Sequence, residues 1–281
     1  MSSLISEQQM VTLVEQMPAF PNSVQRIIEL TRDSAADPKE LVKTIETDPI
    51  MTIKILKVVN SPYYGLSRKI SSIQRAVVLI GVNTLKNLAL SVASIGILQP
   101  TNPAGFDTRQ FLKHSLATAA LCKRLAEQLA IPAQSCGDYF VAGLLHDFGK
   151  IVYAQYLPEA FTEALAMSQR EQCSLHHAEQ AVIGIDHSQA GAFLAEYWAF
   201  DPILVEAINH HHAPVPEHSI TQCLFAANQI SKRVQIGNGG NPIAEAFPPS
   251  VIERFAMPDE QIQASLGDVS ALSGKIDEWI S

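Results

Sequence analysis

The residues of this chain best suited to chemistry are histidines and one aspartate that fall on separate helical patterns beyond residue 110. His114 shares a helical face with positions 118, 121 and 125, and Leu121 and Leu125 draw its imidazole towards the core. Alone, such a histidine needs only one or two hydrogen bonds to be satisfied. His146 and Asp147 are different, because they follow the apolar run Val141-Ala142-Gly143-Leu144-Leu145, where a buried imidazole beside a carboxylate is costly without a partner. A metal ion is one such partner. Imidazole nitrogen with carboxylate oxygen suits zinc, iron or manganese, and the ligand types do not choose among them.

Three further segments add candidates. Asp186 with Gln189 three residues later has the pattern of a capping box, which puts His187 in the first turn of a helix that Gly191 lets pack closely. Asp201-Pro202 starts a helix expected to end on His210-His211-His212, closed by Ala213 and Pro214. Cationic imidazoles there also suit a helix C-terminus, so a polar cap and a ligand cluster both remain open. Asn228 shares a face with Thr221, Leu224 and Phe225, which turns its amide inward as a weak oxygen ligand.

The elements that must hold these groups are helices. Apolar residues recur at helical spacing almost throughout, with little of the alternation expected of strands, so the fold class is all-α. Val24, Ile27, Ile28 and Leu30 form a first stripe, Asp37-Pro38 and Asp48-Pro49 cap the next two helices, and Asn60-Ser61-Pro62 ends the third. Leu85 to Leu98, interrupted by Lys86, Asn87, Ser91 and Ser94, reads as a buried core helix. The turn-rich stretch 99–105 divides a helical lobe over 1–100 from a second helical domain over 107–235. Within the latter, patterns run over 108–130, 138–157, 159–170, 187–199, 202–212 and 220–234. A glycine-rich loop and short helices are expected over 236–281.

Composition narrows the classes of function. With 47% hydrophobic and 17% charged residues, the 281-residue chain is expected to fold around a substantial core. Its 28 acidic against 20 basic residues give a net charge of −8, which disfavours nucleic acid, although Arg68 and Lys69 offer a local basic patch. No run of about 18 apolar residues and no secretory leader pattern occur, so a cytoplasmic protein without membrane contact is expected. Cys122, Cys136, Cys173 and Cys223 form no CxxC pair and read as buried free thiols.

The ordered set His114, His146-Asp147, His187, His211-His212 and Asn228 resembles the ligand series of the HD superfamily of metal phosphohydrolases. That resemblance implies one or two divalent ions bridged by Asp147: one held by the first histidine, the His-Asp pair and the late acidic position, the other completed by the remaining histidines. Lys150, in His146-Asp147-Phe148-Gly149-Lys150, matches the lysine that contacts phosphate in the HD-GYP branch, and His210 is left outside the series. The first half resembles the HDOD branch, through Met17-Pro18-Ala19-Phe20-Pro21, Ile45 to Pro49, Ile55 to Pro62 and Ile73 to Leu85. Glu179, Gly184, His187, Gly191, Leu194 and Trp198 also fall at HDOD spacing, so the resemblance covers residues 17–235. Two departures matter: Asn228 replaces the late aspartate, and Ala213-Pro214-Val215-Pro216 stands where HD-GYP proteins carry Gly-Tyr-Pro. The resemblance implies a bacterial signal-transduction module acting through a protein partner. Its alternative is a metal-dependent phosphohydrolase taking a phosphoester ligand, with Asp147 and Lys150 catalytic.

Overall fold

A computed structural model describes residues 22–32, 37–61, 64, 69–96, 101–133 and 135–269, with a few isolated positions outside them. Among these residues there are helices and no strands, as the periodicity requires. The first half comprises α1 (Asn22–Arg32), α2 (Pro38–Glu46), α3 (Pro49–Val59), α4 (Ile73–Ile80) and α5 (Val82–Gly96). Local chemistry starts them: Asp37 accepts from the Lys39 N–H, Asp48 from Met51 and Ser72 from Arg75, and proline occupies the first turn of α2 and α3. Val24, Ile27, Leu41, Ile45, Ile55 and Ile73 are buried where these short helices meet α5.

The second half holds α6 (Thr108–Gln128), α7 (Cys136–Leu145), α8 (Gly149–Tyr156), α9 (Pro158–Glu171), α10 (Leu175–Val182), α11 (His187–Tyr197), α12 (Pro202–Asn209) and α13 (Ser219–Arg233). At its centre α6 packs on α7 and α13, while α11 packs on α8 and α12. Two short helices follow, α14 (Pro249–Phe255) and α15 (Asp259–Ser265). One apolar cluster runs from Val24 through both halves to Ile276, and a satellite cluster around Phe106, Phe111, Tyr153 and Phe161 lies beneath α8 to α10. No helix among the described residues is long and apolar enough to cross a membrane.

The halves are joined by polar groups as well as by oil. Lys86 and Asn87, on the buried face of α5, reach Asp201 at 3.1 and 2.9 Å, and Asn87 also donates to Asp138 at 3.2 Å. Tyr64, shortly after the end of α3, is buried against Phe140 with ring centroids 5.2 Å apart. Met17 to Pro21, Tyr63, Gly65 and Arg68 lie outside the described residues.

Three boundaries differ from the periodicity. The pattern over 138–157 is two helices, because the chain turns at His146 to Phe148. The helix expected to reach His212 ends at Asn209. The eight-residue α10 was not expected, since so short a segment starting Leu175-His176-His177 carries too few apolar positions to show a stripe. Cys122, Cys136 and Cys223 are buried free thiols, and Cys173 is half-buried.

Asp201 carries the joint between the halves and makes no side-chain cap to its own helix. Asp201→Ala should therefore cost about 2 kcal/mol by leaving Lys86 without its acceptor and Asn87 with Asp138 alone. Urea unfolding checks this, and a loss below a few tenths would deny the joint any weight.

Candidate metal centre

The turn between α7 and α8 presents the His-Asp pair. Phe148 N–H donates to Leu145 O at 2.9 Å and Lys150 N–H to Asp147 O at 3.0 Å, so the chain reverses tightly with His146 and Asp147 facing inward. Gly149 makes the next contact. A Cβ there would stand 2.1 Å from the carbonyl oxygen of His187, so only glycine allows the starts of α8 and α11 to touch and bring His187 beside Asp147. Asp186 fixes that start with its capping box, accepting from Ser188 N–H and Gln189 N–H while the Gln189 side chain accepts from Asp186 N–H.

Four imidazoles converge on the Asp147 carboxylate. His187 Nε2 and His211 Nε2 lie 3.1 and 3.6 Å from Oδ1, and His146 Nε2 and His114 Nε2 lie 3.4 and 3.5 Å from Oδ2. Each ring is held from behind through Nδ1: His146 by Gly143 O at 2.8 Å, His211 by Ile208 O at 2.6 Å, His114 by Ser231 Oγ at 3.2 Å and His187 by Glu179 Oε2 at 2.5 Å. A neutral ring that donates from Nδ1 keeps its Nε2 lone pair, so this pattern aims lone pairs at the carboxylate. The Nε2 atoms of His114, His146 and His211, and Asp147 Oδ1, are buried without a hydrogen-bond partner. Two ligands each about 2.1 Å from a tetrahedral ion stand about 3.4 Å apart, which is the spacing seen here. Ligand atoms of His114, His146 and Asp147, and likewise of His187, His211 and His212, lie within 4.8 Å of one another, with Asp147 between the two groups.

Burial dominates the electrostatics. It pushes His114 down to about 3 and His146 and His212 well below the ordinary imidazole value, and lowers His211 too. These rings are neutral at pH 7, as metal ligands must be. His187 runs the other way: burial lowers it, but Glu179 and Asp147 outweigh burial and raise it. Burial would also raise the Asp147 carboxyl, yet His146, Lys150 and the close approach of His187 and His211 hold it well below the carboxylate range. Lys150 Nζ is 2.6 Å from Asp147 Oδ2, and burial lowers the nearby Lys232 to about 8.

The loop after α13 lies across this cluster. Asn238 N–H donates to Gln110 O at 3.0 Å, and a Cβ on Gly239 would stand 2.8 Å from Asp147 Oδ2 and 3.3 Å from Lys150 Nζ. Backbone therefore covers the carboxylate and the lysine.

All the candidates His114, His146, Asp147, Lys150, His187, His211, His212 and Asn228 come together here. Asn228 is buried beside His114, with neither amide atom hydrogen-bonded. His210 instead lines a cleft between α11 and α12 with Phe193, Glu196 and Glu206. The run His210-His211-His212 follows α12, and the depressed pKa of His211 and His212 removes the charge that a cationic helix cap would need. Sequence reasoning missed Lys232, His176, Glu245 and the covering loop. It noted Glu179 only by its spacing, and its contact with both the ring and the backbone N–H of His187 arises where α10 meets α11.

Comparison with known proteins followed the same lines. The sequence profile of the HDOD domain matches residues 17–214. The chain is 24% identical over 252 residues to an uncharacterized protein of Treponema pallidum, covering 88% of this chain and 48% of that protein. It is 28% identical over 206 residues to ribonuclease Y of Mycoplasmoides gallisepticum, covering 70% and 30%. The chain thus spans half or less of the length of these sequence relatives. Among solved structures, an HDOD domain protein of unknown function from Geobacter sulfurreducens superposes with a TM-score of 0.73 at 23% identity, covering 98% of this chain and 99% of that one. A Shewanella amazonensis protein provisionally called a phosphohydrolase gives 0.70 at 21% identity, covering 97% and 98%. A Marinobacter aquaeolei protein provisionally called a signal transduction protein gives 0.72 at 23%, covering 98% and 61%. At these identities the structures establish a shared fold.

Glu179→Gln tests the support behind His187. Replacing the anionic acceptor by an amide should weaken binding of added manganese or zinc about tenfold, read by equilibrium dialysis, and unchanged affinity would free Glu179 from any part in the centre.

Proposed function

The chain belongs to the HDOD domain family, and from that premise we propose that it is a cytoplasmic signal-transduction module whose buried histidine–aspartate cluster holds one or two divalent metal ions. The observation that carries this reading is the set of four imidazoles held by Nδ1 with Nε2 turned to one buried carboxylate. His114, His146 and Asp147, with the neutral Asn228 amide as a weak fourth donor, would hold one ion. His187, His211 and His212 would hold the other, with Asp147 shared. The donor set suits iron, manganese or zinc.

Closure of the centre favours signalling over turnover. Asp147, His146, His187 and His211 have no exposed surface, Lys150 is spent on Asp147, and the Gly239 backbone covers both. An ion in such a place would stiffen the packing of α6, α7, α11 and α13, and a protein partner would read that state.

A second reading, a metal-dependent phosphohydrolase, is favoured by one observation: two lysines, Lys150 and Lys232, stand beside the carboxylate. A bound divalent ion supplies charge stabilisation to a phosphoester and makes water a better nucleophile at neutral pH. Lys150 and Lys232 would neutralise phosphate oxygens once the covering loop moves aside.

Protein purified without chelator or affinity-tag metal should contain near-stoichiometric iron, manganese or zinc by elemental analysis. Protein that is metal-free and refuses added metal would overturn both readings. Asp147→Ala should lose the ion while keeping its helical circular dichroism, and Asn228→Asp should tighten binding by restoring a carboxylate. Phosphoesterase turnover abolished by Asp147→Ala would decide for the enzyme, whereas equal turnover in that variant would exclude it.

A further inference from the structure

His176, His212 and Glu245 form a separate cluster on the outer side of the metal centre. One ligand atom from each lies within 4.8 Å of the others. His176 is on α10, His212 follows α12 and Glu245 lies in the segment after α13, so the cluster joins three stretches that are far apart in the sequence. His176 and His212 stack at 4.0 Å between ring centroids, and His176 Nδ1 is 3.8 Å from Glu245 Oε1.

Three buried atoms in this cluster, His176 Nδ1, His212 Nδ1 and Glu245 Oε1, have no hydrogen-bond partner. Each such atom has given up its hydrogen bond to water without gaining another, which is costly. The backbone around Glu245 is by contrast well held. Its N–H donates to Gln229 Oε1 at 2.9 Å, and its carbonyl accepts from Arg233 Nη2 at 3.1 Å, with the same guanidinium paired to Asp259. A carboxylate whose backbone is fixed, with one oxygen buried beside two imidazoles and left without a hydrogen bond, suits a cation.

We propose that His176, His212 and Glu245 constitute an outer site for a divalent transition metal of the zinc class, distinct from the buried cluster around Asp147. Two imidazole nitrogens and one carboxylate oxygen are the protein donors of an open zinc site, with water completing the shell. The side chains of His176 and Glu245 are 13% and 28% exposed, so an ion reaches them from solvent. His212 links the two sites. Its Nε2 faces His187 Nε2 at 2.9 Å, and a neutral imidazole has one lone pair, so His212 serves either the inner cluster through Nε2 or the outer ion through Nδ1, and not both at once. The outer ion would also pin the segment carrying Gly239 to α10, closing it over the buried centre.

The proposal rests on the metal-centre reading only for its setting, and the test separates them. Zinc alone is titrated into the full chain by calorimetry, with bound ions counted by elemental analysis, for wild type, His176→Gln with Glu245→Gln, and Asp147→Ala. The double variant should bind one zinc fewer per chain than wild type, and Asp147→Ala should keep one zinc. Glu245→Gln alone, nearly isosteric, should weaken that ion at least tenfold and remove the cobalt(II) visible absorption that it gives in Asp147→Ala, with an unchanged melting profile. A double variant that binds as many ions as wild type would overturn the outer site and leave the inner reading standing. Asp147→Ala that binds no zinc would overturn it too. Loss of one ion in the double variant, with none lost in Asp147→Ala, would establish the outer site and refute the inner one.

Discussion

A fully buried negative charge organises this protein. Asp147 has no exposed surface, and moving a carboxylate out of water is among the most expensive steps a fold can take. The surrounding structure is arranged to offset that cost: Lys150 at 2.6 Å, four Nε2 atoms between 3.1 and 3.6 Å, and α6, α7, α11 and α13 arriving with their polar groups turned inward. Lys150 alone nearly balances the charge. The imidazoles of His114, His146 and His211 are then neutral rings whose Nε2 atoms face a carboxylate without a hydrogen bond, an arrangement that an ion would satisfy.

Small residues make that convergence sterically feasible. Gly149 lets α8 meet the His187 carbonyl, and Gly239 lets backbone lie on Asp147 and Lys150. Behind the imidazoles, the carbonyls of Gly143 and Ile208, the Ser231 hydroxyl and the Glu179 carboxylate fix the ring orientations. Orientation here comes from helix ends and interhelical contacts, which are rigid, so the donors are held in place before any ion arrives.

The N-terminal half contributes none of these donors, yet it shares the core. α5 lies buried against α7, and Lys86 and Asn87 tie it to Asp138 and Asp201, at the capping position of the helix that leads to His211. A change in how the centre packs α7 and α12 therefore acts directly on α5. Under the proposed reading, this continuity would let the state of the buried cluster reach a distant surface.

By itself the sequence determined the all-α class, the caps at Asp37, Asp48 and Asp186, the burial of His114 and Asn228, and the candidacy of His146-Asp147, because helical periodicity and capping act within a few residues of chain. The resemblance to the HD superfamily ordered the candidates into a ligand series. Only the tertiary structure decided that the 138–157 pattern breaks at the His-Asp pair, that His210 lines a cleft while His211 turns in, and that Glu179 supports His187. It alone brought the loop after α13 over Asp147 and set Glu245 beside His176 and His212. Those contacts join residues tens of positions apart, and no local pattern encodes them. They follow from which helix ends meet, which close packing around glycine and the cost of a buried charge settle together.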